Sequence, residues 1–204
     1  MYRQACLQPS QGFSASRLSS YERSSKLELK EGFLSPTCTS VMAQTRNAAQ
    51  SRIGPLLRRH GATVATAESC TGGLIASLLT DVSGSSDYYL GGVIAYANEV
   101  KRGVLGVSAE TLRRVGAVSQ EAALQMAQGA RGLLGADYAL STTGIAGPTG
   151  GTAEKPVGLV YIALVGPDVE RCERHIWTQD RLGNKQLSAR RAMQMLIEHL
   201  ERKS

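Results

Sequence analysis

The sequence predicts an α/β protein in which a mixed sheet is covered by helices on both faces. Between residues 63 and 143, short β-rich runs alternate with helical segments, the pattern of strands joined by crossovers. After residue 156, two strand-like runs flank the turn Pro167-Asp168, the pattern of a hairpin. A last amphipathic segment gathers Ala189, Ala192, Met193, Leu196, Ile197 and Leu200 on one side.

The elements follow in order. Residues 1–42 stand apart, with nine serines, both phenylalanines and no sustained apolar period. They are expected to be a disordered or spurious N-terminal extension. Glu22, Glu28 and Glu31 break the acid-poor pattern of a transit peptide, and there is no apolar core of a secretory signal. The folded domain is expected over residues 43–204. Residues 43–60 predict a helix, kinked at Pro55 and stopped by Gly61. Thr63 to Ala67 is a strand, Thr71 to Thr80 a helix, Ser83 to Asp87 a turn, and Tyr88 to Ala97 a strand. Short helices follow at 98–105 and 109–115. Ser119, with Glu121 in the first turn, caps a longer helix to Leu134. Tyr138 to Thr143 is a strand, 144–156 a glycine-rich loop, and Val157 to Val165 and Val169 to Trp177 the hairpin. Asn184 is expected to open the last helix.

Composition narrows the function. With 204 residues, 42% of them hydrophobic and 20% charged, the chain can bury one sizeable core. Its longest apolar run, Val157 to Gly166, suits a buried strand, and no membrane partner is expected. Four scattered cysteines without a C-x-x-C pair argue against a disulfide framework or a structural zinc site, and for a reducing, cytoplasmic setting. The net charge of +6 includes basic pairs such as Arg58-Arg59 and Arg190-Arg191. Without interleaved aromatics or a recognition motif, these are expected to be solvated helical faces rather than a nucleic-acid surface.

Three segments are richer in small and polar residues than packing requires. Ala67-Glu68-Ser69-Cys70-Thr71-Gly72-Gly73 lies at a strand-to-helix junction, where a side chain is exposed at a sheet end. Ser69 there is either a nucleophile or a helix cap, and caps are the commoner use of serine. Cys70 is either a thiolate nucleophile at a helix N-terminus or an inert buried thiol. In Gly91 to Lys101, Tyr96 and Lys101 converge only if Tyr96 ends the strand and Lys101 lies in the first helical turn. On one continuous helix their spacing sets them about 140° apart. The plain alternative is a rim tyrosine and a solvated lysine. In Ser141 to Thr152, four glycines in eight residues let backbone N–H groups approach an anion or a flat ring. A flexible turn explains them equally well. Lys155 meets either a phosphate or water.

Together these strings resemble a known family. A-E-S-C-T-G-G at 67–73, G-G-V-I-A-Y-A-N-E-V-K at 91–101, G-A-V-S at 116–119 and T-T-G-I-A-G-P-T-G-G-T-A-E-K-P-V-G at 142–158 are similar to the CinA C-terminal domain. That family includes the nicotinamide mononucleotide (NMN) deamidase, an amidohydrolase. The resemblance runs from about His60 to the C-terminus, so a stand-alone form is expected. It implies a three-layer α/β/α sandwich with a mixed central sheet, no metal or organic cofactor, and a homodimer. It also implies hydrolysis of the NMN carboxamide to nicotinic acid mononucleotide and ammonia, with Ser69, Tyr96 and Lys101 as the catalytic group. Cys70, Thr71, Gly72, Gly73, Asn98, Thr143, Gly144, Gly147, Gly150 and Gly151 are expected to bind substrate, the loop at 144–151 taking the phosphate. Ser69 would form an acyl-enzyme, N–H groups after it would hold the oxyanion, and Lys101 would act as base. Bringing a lysine from about 10.4 to near 7 disfavours its charge by about 4–5 kcal/mol. The alternatives are a non-catalytic binding module, a nucleic-acid accessory, and a hydrolase with Cys70 as nucleophile.

Overall fold

The computed structural model describes residues 49–203. The extension expected at 1–42, and the start of the first helix, lie outside the described residues. Helix α1 covers 49–59; Pro55 sits within it, and the chain turns away at Gly61 with φ +57°. Strand β1 (Val64–Glu68) leads through a short turn to α2 (Leu74–Thr80). A 3-10 turn (Ser85–Asp87) precedes β2 (Tyr89–Ile94). Helices α3 (Asn98–Gly103), α4 (Ala109–Arg114) and α5 (Gln120–Leu134) follow. Strands β3 (Tyr138–Gly144), β4 (Leu159–Gly166) and β5 (Val169–Ile176) lead to α6 (Arg181–Arg202).

The five strands form one mixed sheet in the order β2-β1-β3-β4-β5. β1 runs parallel to β2 and to β3, while β3/β4 and β4/β5 are antiparallel. Helices cover both sides, as the sequence predicts.

The two faces are built differently. Strand residues alternate between them. Val64, Leu140, Ile162 and Leu164 point to the side where Ile53 and Leu57 of α1, Ile75 and Leu79 of α2, and Leu196 and Leu200 of α6 are buried. Each fully buried side chain of this size contributes about 1.5–3 kcal/mol before entropy is counted. On the other side Ala65, Ala67, Ala139 and Ala163 meet Ala122, Ala123, Ala127 and Ala130 of α5. Small residues on both partners let α5 approach closely.

Several predicted boundaries move: the second strand ends at Ile94 and not Ala97, the third helix ends at Gly103, the fourth strand begins at Leu159, and two helix starts shift. The helix expected from Thr71 begins at Leu74, because Gly72 and Gly73 have φ of +64° and +94°, outside the helical region. Glu68 caps it: its buried carboxylate accepts from the N–H groups of Gly73, Ile75 and Ala76 at 3.0, 3.0 and 2.8 Å. The last helix opens at Arg181 and not at Asn184, because Asp180 supplies the cap, accepting from Gly183 N–H at 2.7 Å. Ser119 caps α5 as predicted, accepting from Ala122 N–H at 3.2 Å.

Candidate active site

The connections out of β1 and β2 place the site. β1 passes through α2 to β2 on one side, and β2 returns through α3, α4 and α5 to β3 on the other. Crossovers that diverge in this way leave a crevice at the carboxyl ends of the strands. Ser69 follows β1 directly, Tyr96 follows β2, and Thr143 and Gly144 end β3. Ser69 N–H donates to Thr142 O at 2.9 Å and Gly72 N–H to Ser69 O at 3.1 Å, which fixes the serine in a tight turn.

A cavity of about 280 Å³ opens there, lined among others by Ser69, Cys70, Tyr96, Asn98, Lys101, Thr143, Gly144, Gly147 and Gly150. Within it Lys101 Nζ lies 3.1 Å from Ser69 Oγ. The same nitrogen donates to Ala95 O at 2.8 Å and to Tyr96 O at 3.1 Å. Lys101 is only 2% exposed, and burial pushes its pKa below the ordinary lysine value. The three oxygens around Nζ match the three donors of an ammonium; a neutral amine would give two N–H groups to the carbonyls and its lone pair to the Ser69 hydroxyl. The expected convergence takes another form: β2 ends at Ile94, before Tyr96, and Lys101 in α3 meets the backbone of Tyr96 and not its phenol.

Tyr96 takes a different posture from its neighbours. Tyr96 is 64% exposed, and Arg181 Nη2 donates to its hydroxyl at 3.2 Å. Its backbone carbonyl, not its phenol, meets Lys101. Cys70 lines the cavity, but burial raises its thiol pKa to about 12, so it is un-ionised at neutral pH.

Four predicted binding residues lie outside the cavity lining. Thr71 is buried and pairs with Thr142 through their hydroxyls at 2.7 Å. Gly72 and Gly73 form the left-handed turn before α2. Gly151 packs on the backbone of Val157, where an added Cβ would stand 2.7 Å from the Val157 nitrogen. The Lys155 amino group donates to Val115 O at 2.6 Å and Val118 O at 2.9 Å. The N–H groups of α2 at Gly73, Ile75 and Ala76 belong to Glu68, so an oxyanion must look to the turn itself.

Two residues that support the site carried no sequence signal of that role. Arg181 Nη1 donates to Gly147 O at 2.7 Å, beside its bond to Tyr96. Asn184, buried in α6, donates to Ala146 O at 3.0 Å and accepts from Gln179 N–H at 3.0 Å. Both pin the glycine-rich loop from a helix some 35 residues away in sequence, a pairing that local patterns do not encode. A neighbouring cavity of about 650 Å³ shares Ala146, Gly147 and Arg181, and adds Asp180 and Lys185. A groove of similar size beside Trp177 contains none of Ser69, Tyr96 or Lys101. Among the described residues, no three His, Cys, Asp or Glu side chains group as metal ligands, and no helix is long and apolar enough to cross a membrane.

Known proteins share this sequence and fold. Residues 46–200 match the CinA C-terminal domain. The chain belongs to that family. A CinA-like protein from Salinibacter ruber is 53% identical over 142 residues, covering 70% of this chain and 34% of that protein. A CinA-like protein from Trichormus variabilis is 52% identical over 153 residues, covering 74% and 37%. The chain thus spans little more than a third of the length of these curated relatives. Among solved structures, a CinA superfamily protein from Klebsiella pneumoniae is 35% identical, with a TM-score of 0.74 over 77% of this chain and 98% of that one. The competence/damage inducible protein CihA from Agrobacterium tumefaciens is 43% identical, with a TM-score of 0.70 over 76% and 94%. The mixed-sheet CinA fold is thereby shown for this chain.

Proposed function

We propose that this CinA-family domain is a serine amidohydrolase that converts NMN to nicotinic acid mononucleotide and ammonia. One observation carries the reading: a buried lysine with a lowered pKa stands 3.1 Å from a serine hydroxyl in a cavity at the carboxyl end of β1. A solvated lysine and a simple serine cap, the plain alternatives, would show neither the burial nor the contact.

The chemistry follows from the pair. Ser69 Oγ attacks the carboxamide carbon while Lys101 Nζ takes the hydroxyl proton. Lys101 returns that proton to the departing nitrogen, the C–N bond breaks, and ammonia leaves an ester on Ser69. Water then attacks the ester and gives a proton to Lys101; the bond from the acyl carbon to Ser69 Oγ breaks, Lys101 returns the proton to that oxygen, and the acid leaves and ionises to the carboxylate. A cationic pyridinium draws electrons from its carboxamide and disfavours protonated Lys101. The oxyanion would be held by N–H groups of the turn at Cys70 and Thr71, each such donor typically contributing about 3–4 kcal/mol. Tyr96 and Arg181, joined at the cavity mouth, would close over the ring. Arg181 and the loop at 144–151 would take the phosphate. We further propose a cytoplasmic homodimer.

Quenched reactions test the reading. The full chain mixed with NMN and stopped by acid should release ammonia and show the nicotinoyl nucleotide mass on the peptide containing Ser69. Ser69→Ala should show neither, with chelator present throughout. Ammonia release by Ser69→Ala at the parent rate would exclude the serine mechanism.

A further inference from the structure

Four consecutive carbonyls, Val115 to Val118, lead into one wall of the cavity, and side chains hold all four. Val115 O and Val118 O accept from Lys155 Nζ at 2.6 and 2.9 Å. Gly116 O accepts from Ser119 Oγ at 2.8 Å, and Ala117 O from Thr143 Oγ1 at 2.8 Å. Ala117 and Val118 line the cavity, whereas Lys155 does not. Of the three donor residues, Lys155 is the one that comes from the glycine-rich loop.

The surroundings are shaped for that lysine. Gly116 has φ +79°, and an added Cβ there would stand 3.1 Å from Lys155 Nζ. The backbone of Lys155 is held in turn: its N–H donates to Thr152 Oγ1 at 3.0 Å, and Thr152 N–H donates to Lys155 O at 2.8 Å. An amino group suits carbonyls just past the end of α4, where the last helical acceptors lack partners.

We propose that Lys155 is a positioning residue that sets the width of the substrate cavity by tying the glycine-rich loop to the Ala117-Val118 wall. This rests on the reading of that cavity as the hydrolase site. Ser69 and Lys101 stand on the β1 turn and on α3, outside the tie, so removing it loosens substrate binding and leaves the reacting pair in place.

The test uses Lys155→Met and Lys155→Arg in the full chain. Losing two hydrogen bonds to the wall should raise KM for NMN about tenfold or more, with kcat within about threefold of the parent. Lys155→Arg keeps donors and should recover most of the loss. Without substrate, Lys155→Met should speed amide hydrogen exchange in both 115–118 and 144–155, and not in the turn at 69–72. A fall in kcat at unchanged KM, or exchange that stays at parent rates in either segment, overturns the proposal. If the parent releases no ammonia from NMN, the hydrolase reading fails while the exchange result still decides the tie. Should Lys155→Met fail to fold, Thr152→Ala, which loosens the hold on Lys155, carries the same exchange comparison.

Discussion

At the scale of single residues, the chemistry turns on which nucleophile the base reaches. Lys101 Nζ is within hydrogen-bonding distance of Ser69 Oγ, while the adjacent thiol of Cys70 is pushed up to about 12 by its burial. Cys70→Ala is therefore expected to keep most of the ammonia release, measured under the same conditions as the parent; its abolition would move the nucleophile to sulfur. Lys101 also makes a pH prediction. Its folded pKa lies below the ordinary lysine value because burial disfavours the charge. Between that lowered pKa and about 10.4, the unfolded chain binds a proton that the folded chain does not, so stability rises with pH across this window. Urea unfolding of the parent and of Lys101→Met at pH 7 and pH 9.5 should show the difference shifting in favour of the parent at the higher pH. A pH-independent difference would mean that the lysine is not perturbed.

At the scale of elements, Glu68 is the residue that makes the nucleophile turn possible. Its carboxylate takes three N–H groups at the start of α2, and Ser69 is the next residue. Glu68→Ala removes these charge-assisted bonds and is expected to destabilise the domain by about 2–3 kcal/mol in urea titrations. Glu68→Gln keeps part of the acceptor set and should cost less. Equal stability of parent and Glu68→Ala would mean that the cap contributes nothing. The sequence shows an acidic residue ahead of a glycine pair, but periodicity carries the helix back to Thr71 and hands its N–H groups to the substrate. Only the positive φ values of Gly72 and Gly73 reveal that the helix starts later. The same limit applies at α6. Its apolar face is legible from Ala189 to Leu200, whereas the roles of Arg181 and Asn184 depend on contacts with the glycine-rich loop.

At the scale of the whole molecule, the unequal faces of the sheet explain why so few aromatics suffice. One face is filled by leucine, isoleucine and methionine, and the other is closed by alanines against α5. Gly129 of α5 packs in turn on the backbone between α3 and α4: an added Cβ there would lie 2.7 Å from the Leu105 carbonyl carbon. Gly129→Ala is thus expected to destabilise the domain by about 1–3 kcal/mol through overpacking, although alanine is the better helix former. A stabilised variant in thermal unfolding would show that the α5 interface is loose. The strand and helix alternation was legible because each strand buries a distinct apolar set, and the late hairpin because Pro167-Asp168 separates two such sets. The strand order was not, since it depends on which side of β1 each crossover takes. That order brings Ser69, Lys101 and Thr143 to one crevice, and it is the basis of the proposed catalysis. The most direct test of that proposal is ammonia release from NMN by the full chain, Ser69→Ala and Lys101→Met across a range of pH. The parent should release ammonia at a rate that rises with pH as Lys101 loses its proton and then levels, and both variants should release none. Release by either variant at the parent rate, or none by a folded parent, would contradict the Ser69–Lys101 mechanism.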